Sequence, residues 1–120
     1  MLRLKRNCRE IGAEYENRAV IFLKEKGYQI IKQNFRCRQG EIDIIAKDGE
    51  YLVFTEVKYR KNAYQGAALE AVTMQKQRRI LQAARYYLYM TSQNMHVPCR
   101  FDVIAFEGEQ VTHIENAFGG

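Results

Sequence analysis

The spacing of apolar and polar residues changes period several times along the chain. In residues 10 to 26, EIGAEYENRAVIFLKEK, positions Tyr15, Ala19, Phe22, Leu23 and Lys26 recur at helical spacing with Val20 beside them, which predicts a helix. Gly27 ends it, and Lys24 and Lys26 fall in its last turn, where cations suit a helix C-terminus. YQIIKQNF, residues 28 to 35, then reads as a strand, and RCRQG, 36 to 40, as a basic connection. EIDIIA, 41 to 46, alternates acid and aliphatic residues. KDGE carries Asp-Gly, a two-residue hairpin signal, and YLVFTEVKYR, 51 to 60, returns as the second strand of that hairpin.

From Ala67 to about Met90 the pattern is helical, in one or two pieces, with Thr73 as a cap and Ile80, Leu81, Ala84 and Leu88 on one side. A loop from Asn94 to Pro98 leads to a strand at RFDVIAF, 100 to 106. A turn at EGE follows, then a short last strand in QVTHIEN; the tail, residues 118 to 120, is expected to fray. The order α-β-β-β-α-β, with a further β, predicts one mixed α/β domain spanning residues 1–120, with a central sheet flanked by helices.

Composition narrows the class. A chain of 120 residues with 47% hydrophobic content and one proline suits a single folded core rather than a disordered segment. No apolar run approaches the ~18 residues of a membrane span, and no apolar segment follows the basic start MLRLKRNCRE, so neither a membrane protein nor a secretory signal is expected. Cys8, Cys37 and Cys99 are widely spaced with no C-x-x-C pair, which argues against structural zinc; free thiols point to the cytoplasm. The net charge of +5 permits a polyanionic partner such as nucleic acid.

The hairpin holds the candidate chemistry. With Asp48 and Gly49 as turn residues, Asp43 would face Phe54 and Glu41 would face Glu56, placing Glu41, Asp43, Glu56 and Lys58 on one side. Ile42, Ile44, Val53, Thr55 and Val57 would form the other side. A longer turn that slides the pairing by an even number keeps the shared face. Three carboxylates together repel, and burying each costs several kcal/mol unless a cation compensates. Lys58 offsets one charge, whereas Mg2+ or Mn2+ would offset more. Such a group suits phosphodiester hydrolysis, in which a metal binds the phosphate and lowers the pKa of a water. The same spacing also suits an exposed sheet face whose charges simply meet solvent. Glu16, whose helical neighbours are Ala19, Val20 and Leu23, is either a fourth acid aimed at the sheet or a solvated flank residue.

GEIDIIA at 40 to 46, EVKYR at 56 to 60 and RFDVIAF at 100 to 106 resemble the YraN family, bacterial predicted endonucleases similar to archaeal Holliday junction resolvases. Gly12, Glu16 with Ala19, KGYQII with Asn34 and Arg36, and Lys76 with Ala84 extend the resemblance over nearly the whole chain. It implies a restriction-endonuclease-like fold of the PD-(D/E)xK nuclease superfamily, with an αβββαβ core. It implies that Asp43, Glu56 and Glu16 bind the metal and that Lys58 is the catalytic lysine. Glu41 and Arg60 match positions whose roles are open. Two residues depart from the pattern: Tyr15 replaces a glycine and would narrow access to Glu16, and Thr55 replaces a valine.

Arg36, Arg38, Arg60, Lys61, Lys76, Arg78, Arg79 and Arg85 bracket the acids in sequence and would neutralise phosphates on either side of a cut, with Arg36, Arg38, Arg60, Lys76 and Arg79 the strongest candidates. Tyr59, Tyr64, Tyr86, Tyr87 and Tyr89 either stack on bases or pack. His96 and His113 read as isolated, and Arg100 with Asp102 as an ion pair supporting the site from a neighbouring strand. The expected function is therefore a metal-dependent endonuclease acting on DNA, including branched intermediates; the alternative is a nucleic-acid-binding module of the same fold with little or no cleavage. A homodimer would match a two-fold symmetric junction.

Overall fold

The computed structural model describes residues 7–60, 72–91 and 96–119. In chain order these form α1 (Cys8–Glu25), β1 (Gln29–Cys37), β2 (Gly40–Asp48), β3 (Tyr51–Arg60), α2 (Met74–Met90), β4 (Cys99–Glu107) and β5 (Gln110–Ile114). This is the α-β-β-β-α-β order with its further β. Lys61, Tyr64 and the expected helical residues 67–71 lie outside the described residues.

Both helices begin at a side-chain cap. Asn7 Oδ1 accepts from the Glu10 N–H at 2.8 Å, and Thr73 Oγ1 accepts from the Lys76 N–H at 3.2 Å, each satisfying a donor that the first turn leaves open. Gly27 takes a φ of +92°, which lets the chain leave α1 and turn back into β1.

The five strands lie in the order β1-β2-β3-β4-β5. Among the described strands only β3 and β4 pair in parallel; such a pair needs a long crossover, and α2 lies on it. Each face of the sheet is covered by one helix. Ala19, Val20 and Leu23 of α1 pack with Ile44, Val53, Val57 and Ile104. On the other face, Ile80, Ala84, Tyr87 and Leu88 of α2 pack with Ile45, Leu52, Phe54 and Val103. The sheet interior is therefore buried on both faces, and a charged group there must find a partner.

Three sequence expectations change. The hairpin turn is Gly49–Glu50, with Asp48 paired to Tyr51, so the register slides by two from the Asp-Gly turn. An even slide keeps Glu56 and Lys58 on their expected face, but Phe54 now pairs with Ile45 rather than Asp43. The connection at 36 to 40 is shorter than expected, because β1 continues to Cys37 and β2 starts at Gly40. The tail is not frayed at its start. The Ala117 N–H donates to the Phe101 carbonyl at 2.7 Å, and Phe118, 9% exposed, packs on the Phe101 ring. The Phe101 ring is thus flanked by Phe54 and Phe118.

Candidate functional site

The site lies where the strand ladders part. The β2–β3 pairing runs from Asp48–Tyr51 to Ile44–Thr55 and stops there. Beyond that point the Val57 N–H donates to Asp43 Oδ2 at 2.8 Å, so a side-chain carboxylate stands in for a backbone carbonyl. On the other side of β2, Asn34 of β1 falls between the pairs Gln33–Ile44 and Phe35–Ile42 and has a φ of +53°. Asn is one of the few residues with a side chain that adopts this left-handed conformation readily. The alternation of β2 also breaks here: Ile42 joins the core beneath α2, while Ile44 joins the core beneath α1. The expectation that Ile42 and Ile44 share a face fails for this reason.

Asp43 is the shared neighbour of the remaining acids. Glu16, from the middle of α1, lies beside Asp43 and Asn34, and its pKa is pushed up to about 7 by burial and by the Asp43 charge. Glu56, on the central strand, is 7% exposed; burial first, then Asp43, pushes it up to about 7 as well. Asp43 is raised by burial, against the Val57 hydrogen bond that favours its charged form. Two of these carboxylates thus hold protons far more tightly than exposed ones do.

Lys58 Nζ lies 3.1 Å from Glu56 Oε1, with the lysine side chain 14% exposed. Burial works against its charge, but the hydrogen bond with Lys76 and the Glu56 and Asp43 carboxylates outweigh it, and its pKa rises. Lys76, carried on the first turn of α2, shifts the opposite way, lowered by burial and by Lys58. Of the two amino groups, Lys58 keeps its proton more firmly, and Lys76 is the one able to accept from it as a neutral amine. Lys76, expected as a phosphate contact, is thus also part of the acid–base cluster. Sequence spacing could not show this, because Lys58 and Lys76 meet only through the packing of α2.

Glu41, Glu56, Arg36, Cys37, Lys76 and Arg79 line a cavity of about 370 Å3 together with Gly40 and Ile80. Gly40 lets α2 close over it: a Cβ there would lie 3.0 Å from the Arg79 backbone oxygen. Arg36 also bonds Glu41 at 3.2 Å, an exposed pair of little energetic weight. Arg36, Lys76 and Arg79 are therefore brought to the acids. Arg38, in the turn after β1, and Arg60, at the end of β3, are exposed and do not line this cavity.

The departures from the expected pattern are accommodated. Tyr15 stacks on Tyr59 with ring centroids 4.5 Å apart and tilts against Phe106, so it packs on the sheet. Tyr87 is buried against Phe35 and Phe54, Tyr86 is near Phe35, and Tyr89 is exposed. Thr55 is buried, and its hydroxyl has no hydrogen-bond partner among the described residues.

His113 is not isolated, contrary to the sequence expectation. Its Nε2 lies 2.7 Å from Asp102 Oδ2, and Lys26 Nζ lies 2.8 Å from its Nδ1. The fully buried Asp102 also accepts from Arg100 at 2.9 Å and from the Asn116 N–H at 3.0 Å, and these bonds outweigh burial to lower its pKa. Arg100 further bonds Asp48 and Tyr28. The ion pair expected between Arg100 and Asp102 is present, but it ties β4 to β5 and to the end of α1; its partners are not those of the acidic groove. Donor atoms of Asp102, His113 and Glu115 lie within 4.8 Å of one another, close enough to hold a metal. Arg100 already supplies a cation to this trio, at 2.9 Å from Asp102 and 3.4 Å from Glu115. Glu16, Asp43 and Glu56 do not close into so tight a trio. A hard cation such as Mg2+ needs only one or two carboxylates plus waters, however, and Asp43 with Glu56 supplies these.

These features define a mixed α/β domain with a groove of buried carboxylates faced by lysines and arginines. The sequence profile described as Uncharacterised protein family UPF0102 matches residues 15–106, and the chain belongs to that family, which is the YraN family its motifs resemble. A UPF0102 protein of Lachnoclostridium phytofermentans is 50% identical over 107 residues, covering 89% of this chain and 91% of that one. One of Alcanivorax borkumensis is 44% identical over 123 residues, covering 98% and 96%. One of Aeromonas hydrophila is 47% identical over 108 residues, covering 89% and 83%. Among the described residues no helix is long and apolar enough to cross a membrane.

Proposed function

We propose that this protein is a divalent-metal-dependent endonuclease that hydrolyses phosphodiester bonds in DNA, with branched DNA among its substrates, acting in the cytoplasm. The observation that carries this reading is the set of buried carboxylates around Asp43, set at the fork of β2 and β3 and faced by Lys58. Excess buried acid is unfavourable for the fold alone, and a cation is the natural complement. Asp43 and Glu56 would hold Mg2+ or Mn2+, with Glu16 completing the set. Bound there, the metal would neutralise phosphate charge and make water more acidic. Lys58, kept protonated by Glu56 and Asp43, is suited to orient water and to stabilise negative charge developing at the phosphate. Arg36, Lys76 and Arg79 on the cavity wall are suited to hold neighbouring phosphates without reading sequence. The resemblance of G-E-I-D and E-V-K-x-R to the YraN family, which implies a PD-(D/E)xK nuclease fold, supports the same reading.

The test is cleavage of labelled duplex, single-strand, flap, fork and four-way-junction DNA with Mg2+, with Mn2+ and with EDTA. Asp43→Asn, Glu56→Gln and Lys58→Ala should each lower cleavage by about 100-fold or more, the scale of losing a transition-state group, while circular dichroism stays unchanged. Cutting that persists in EDTA or in all three variants would refute the assignment. Salt-sensitive binding without cutting would favour the binding module instead.

A further inference from the structure

Gly12 stands out among the glycines. Of the six within the described residues, Gly27, Gly49, Gly108 and Gly119 have positive φ, and a Cβ on Gly40 would press on the Arg79 backbone. Gly12 has neither feature: its φ is not positive, and a Cβ there would meet nothing within 4 Å among the described residues. It lies inside α1, where glycine costs about 1 kcal/mol relative to alanine. Nothing in its backbone conformation or in its surroundings among the described residues requires a glycine.

What surrounds it suggests an external reason. Gly12 is one turn before Glu16, so the two share a face of α1. Both line a cavity of about 340 Å3 between α1 and β1, with Arg9, Ala13, Asn34 and Arg36. Arg36 also lines the cavity that holds Glu56 and Lys76. The two cavities therefore meet at Arg36, and Asp43 interacts with an acid from each, Glu16 and Glu56. The α1 cavity has a floor stripped to backbone and Cβ, with two arginines among its lining residues and Glu16 as the one acid.

We propose that α1 is a docking surface for the nucleic-acid strand. The sugar–phosphate backbone lies against the bare helix at Gly12 and Ala13, Arg9 and Arg36 take the phosphates beside the site, and Gly12 fixes how closely the strand approaches Asp43. Charge complementarity selects this occupant. The inference rests on the nucleic-acid reading above and adds Arg9 and Gly12 to it.

The test is anisotropy of fluorescein-labelled four-way-junction and single-stranded DNA in EDTA across a KCl series, beside thermal unfolding. Gly12→Ala should melt no lower than the parent, because alanine is the better helix former, yet bind DNA several-fold more weakly. Gly12→Leu should stay folded and bind about tenfold more weakly or worse, a change of 1.4 kcal/mol. Arg9→Ala should reduce the slope of log affinity against log salt by about one. Parent-like binding by both Gly12 variants, with the parent's binding salt-sensitive, would overturn docking on α1 and leave the endonuclease reading standing. A lower melting temperature for Gly12→Ala would also overturn it, by giving the glycine an internal role. A parent that binds neither DNA would sink both the nucleic-acid reading and this inference.

Discussion

Two carboxylates titrating near neutrality make stability depend on pH in a direction that can be worked out. Glu16 and Glu56 are raised from 4.5 to about 7 in the fold. The folded state therefore binds more protons than the unfolded one between those values, and stability falls as pH rises through them. In EDTA, the melting temperature should drop between about pH 5 and about pH 8. Millimolar Mg2+ should restore more of it at the higher pH, where protons no longer compete for the ligands. Asp43→Asn should abolish that Mg2+ shift. A Mg2+ effect equal at both pH values would count against these acids as ligands. Thr55 supplies a second expectation: its buried hydroxyl lacks a partner, so Thr55→Val should stabilise by about 1 kcal/mol in urea unfolding, with cleavage unchanged. A loss of stability would mean the hydroxyl is bonded after all.

At the scale of elements, the site depends on how α2 sits on the β1–β2 turn. Lys76 and Arg79 ride on α2, and Gly40 is the point of closest approach, where an added methyl group would lie 3.0 Å from the Arg79 backbone oxygen. Gly40→Ala should push the helix outward, destabilise by about 1–3 kcal/mol, and lower cleavage by separating Lys76 from Lys58. Unfolding in urea with a parallel cleavage assay checks both; an unchanged pair of values would show that α2 shifts freely. The glycine of the G-E-I-D motif is thus explained by packing and its aspartate by the fork between strands. The element order, the Thr73 cap and the final strand were legible from period and turn chemistry. The hairpin register was not, because Asp-Gly and Gly-Glu both offer turn residues and a slide of two leaves every side chain on the same face.

For the whole molecule, the two polar groups lie apart and do different work. The acidic groove serves the proposed chemistry, whereas the Asp102 network joins α1, β2, β4, β5 and the tail. Asp102→Ala should leave the half-buried Arg100 without its main partner and cost about 3 kcal/mol, read as a lower urea midpoint. The Mg2+ shift in melting temperature should survive, since no ligand of the groove is touched. Its disappearance would mean that the network and the groove are one unit.

Local sequence determined the helices, the strands, their order and the acid–lysine spacing on β3, because period, caps and turn residues act over a few positions. Glu56 and Lys58 share a face through strand geometry alone. Tertiary structure decided the rest. Asp43 reaches Glu16 only because β2 breaks its alternation between Ile42 and Ile44, and that break depends on cores from two helices. Lys58 meets Lys76 only because a parallel β3–β4 pair forces a crossover that lays α2 on that face. His113 finds Asp102, and Phe118 finds Phe101, because β5 folds back on β4. Each of these joins residues distant along the chain, through a burial free energy that no local pattern carries.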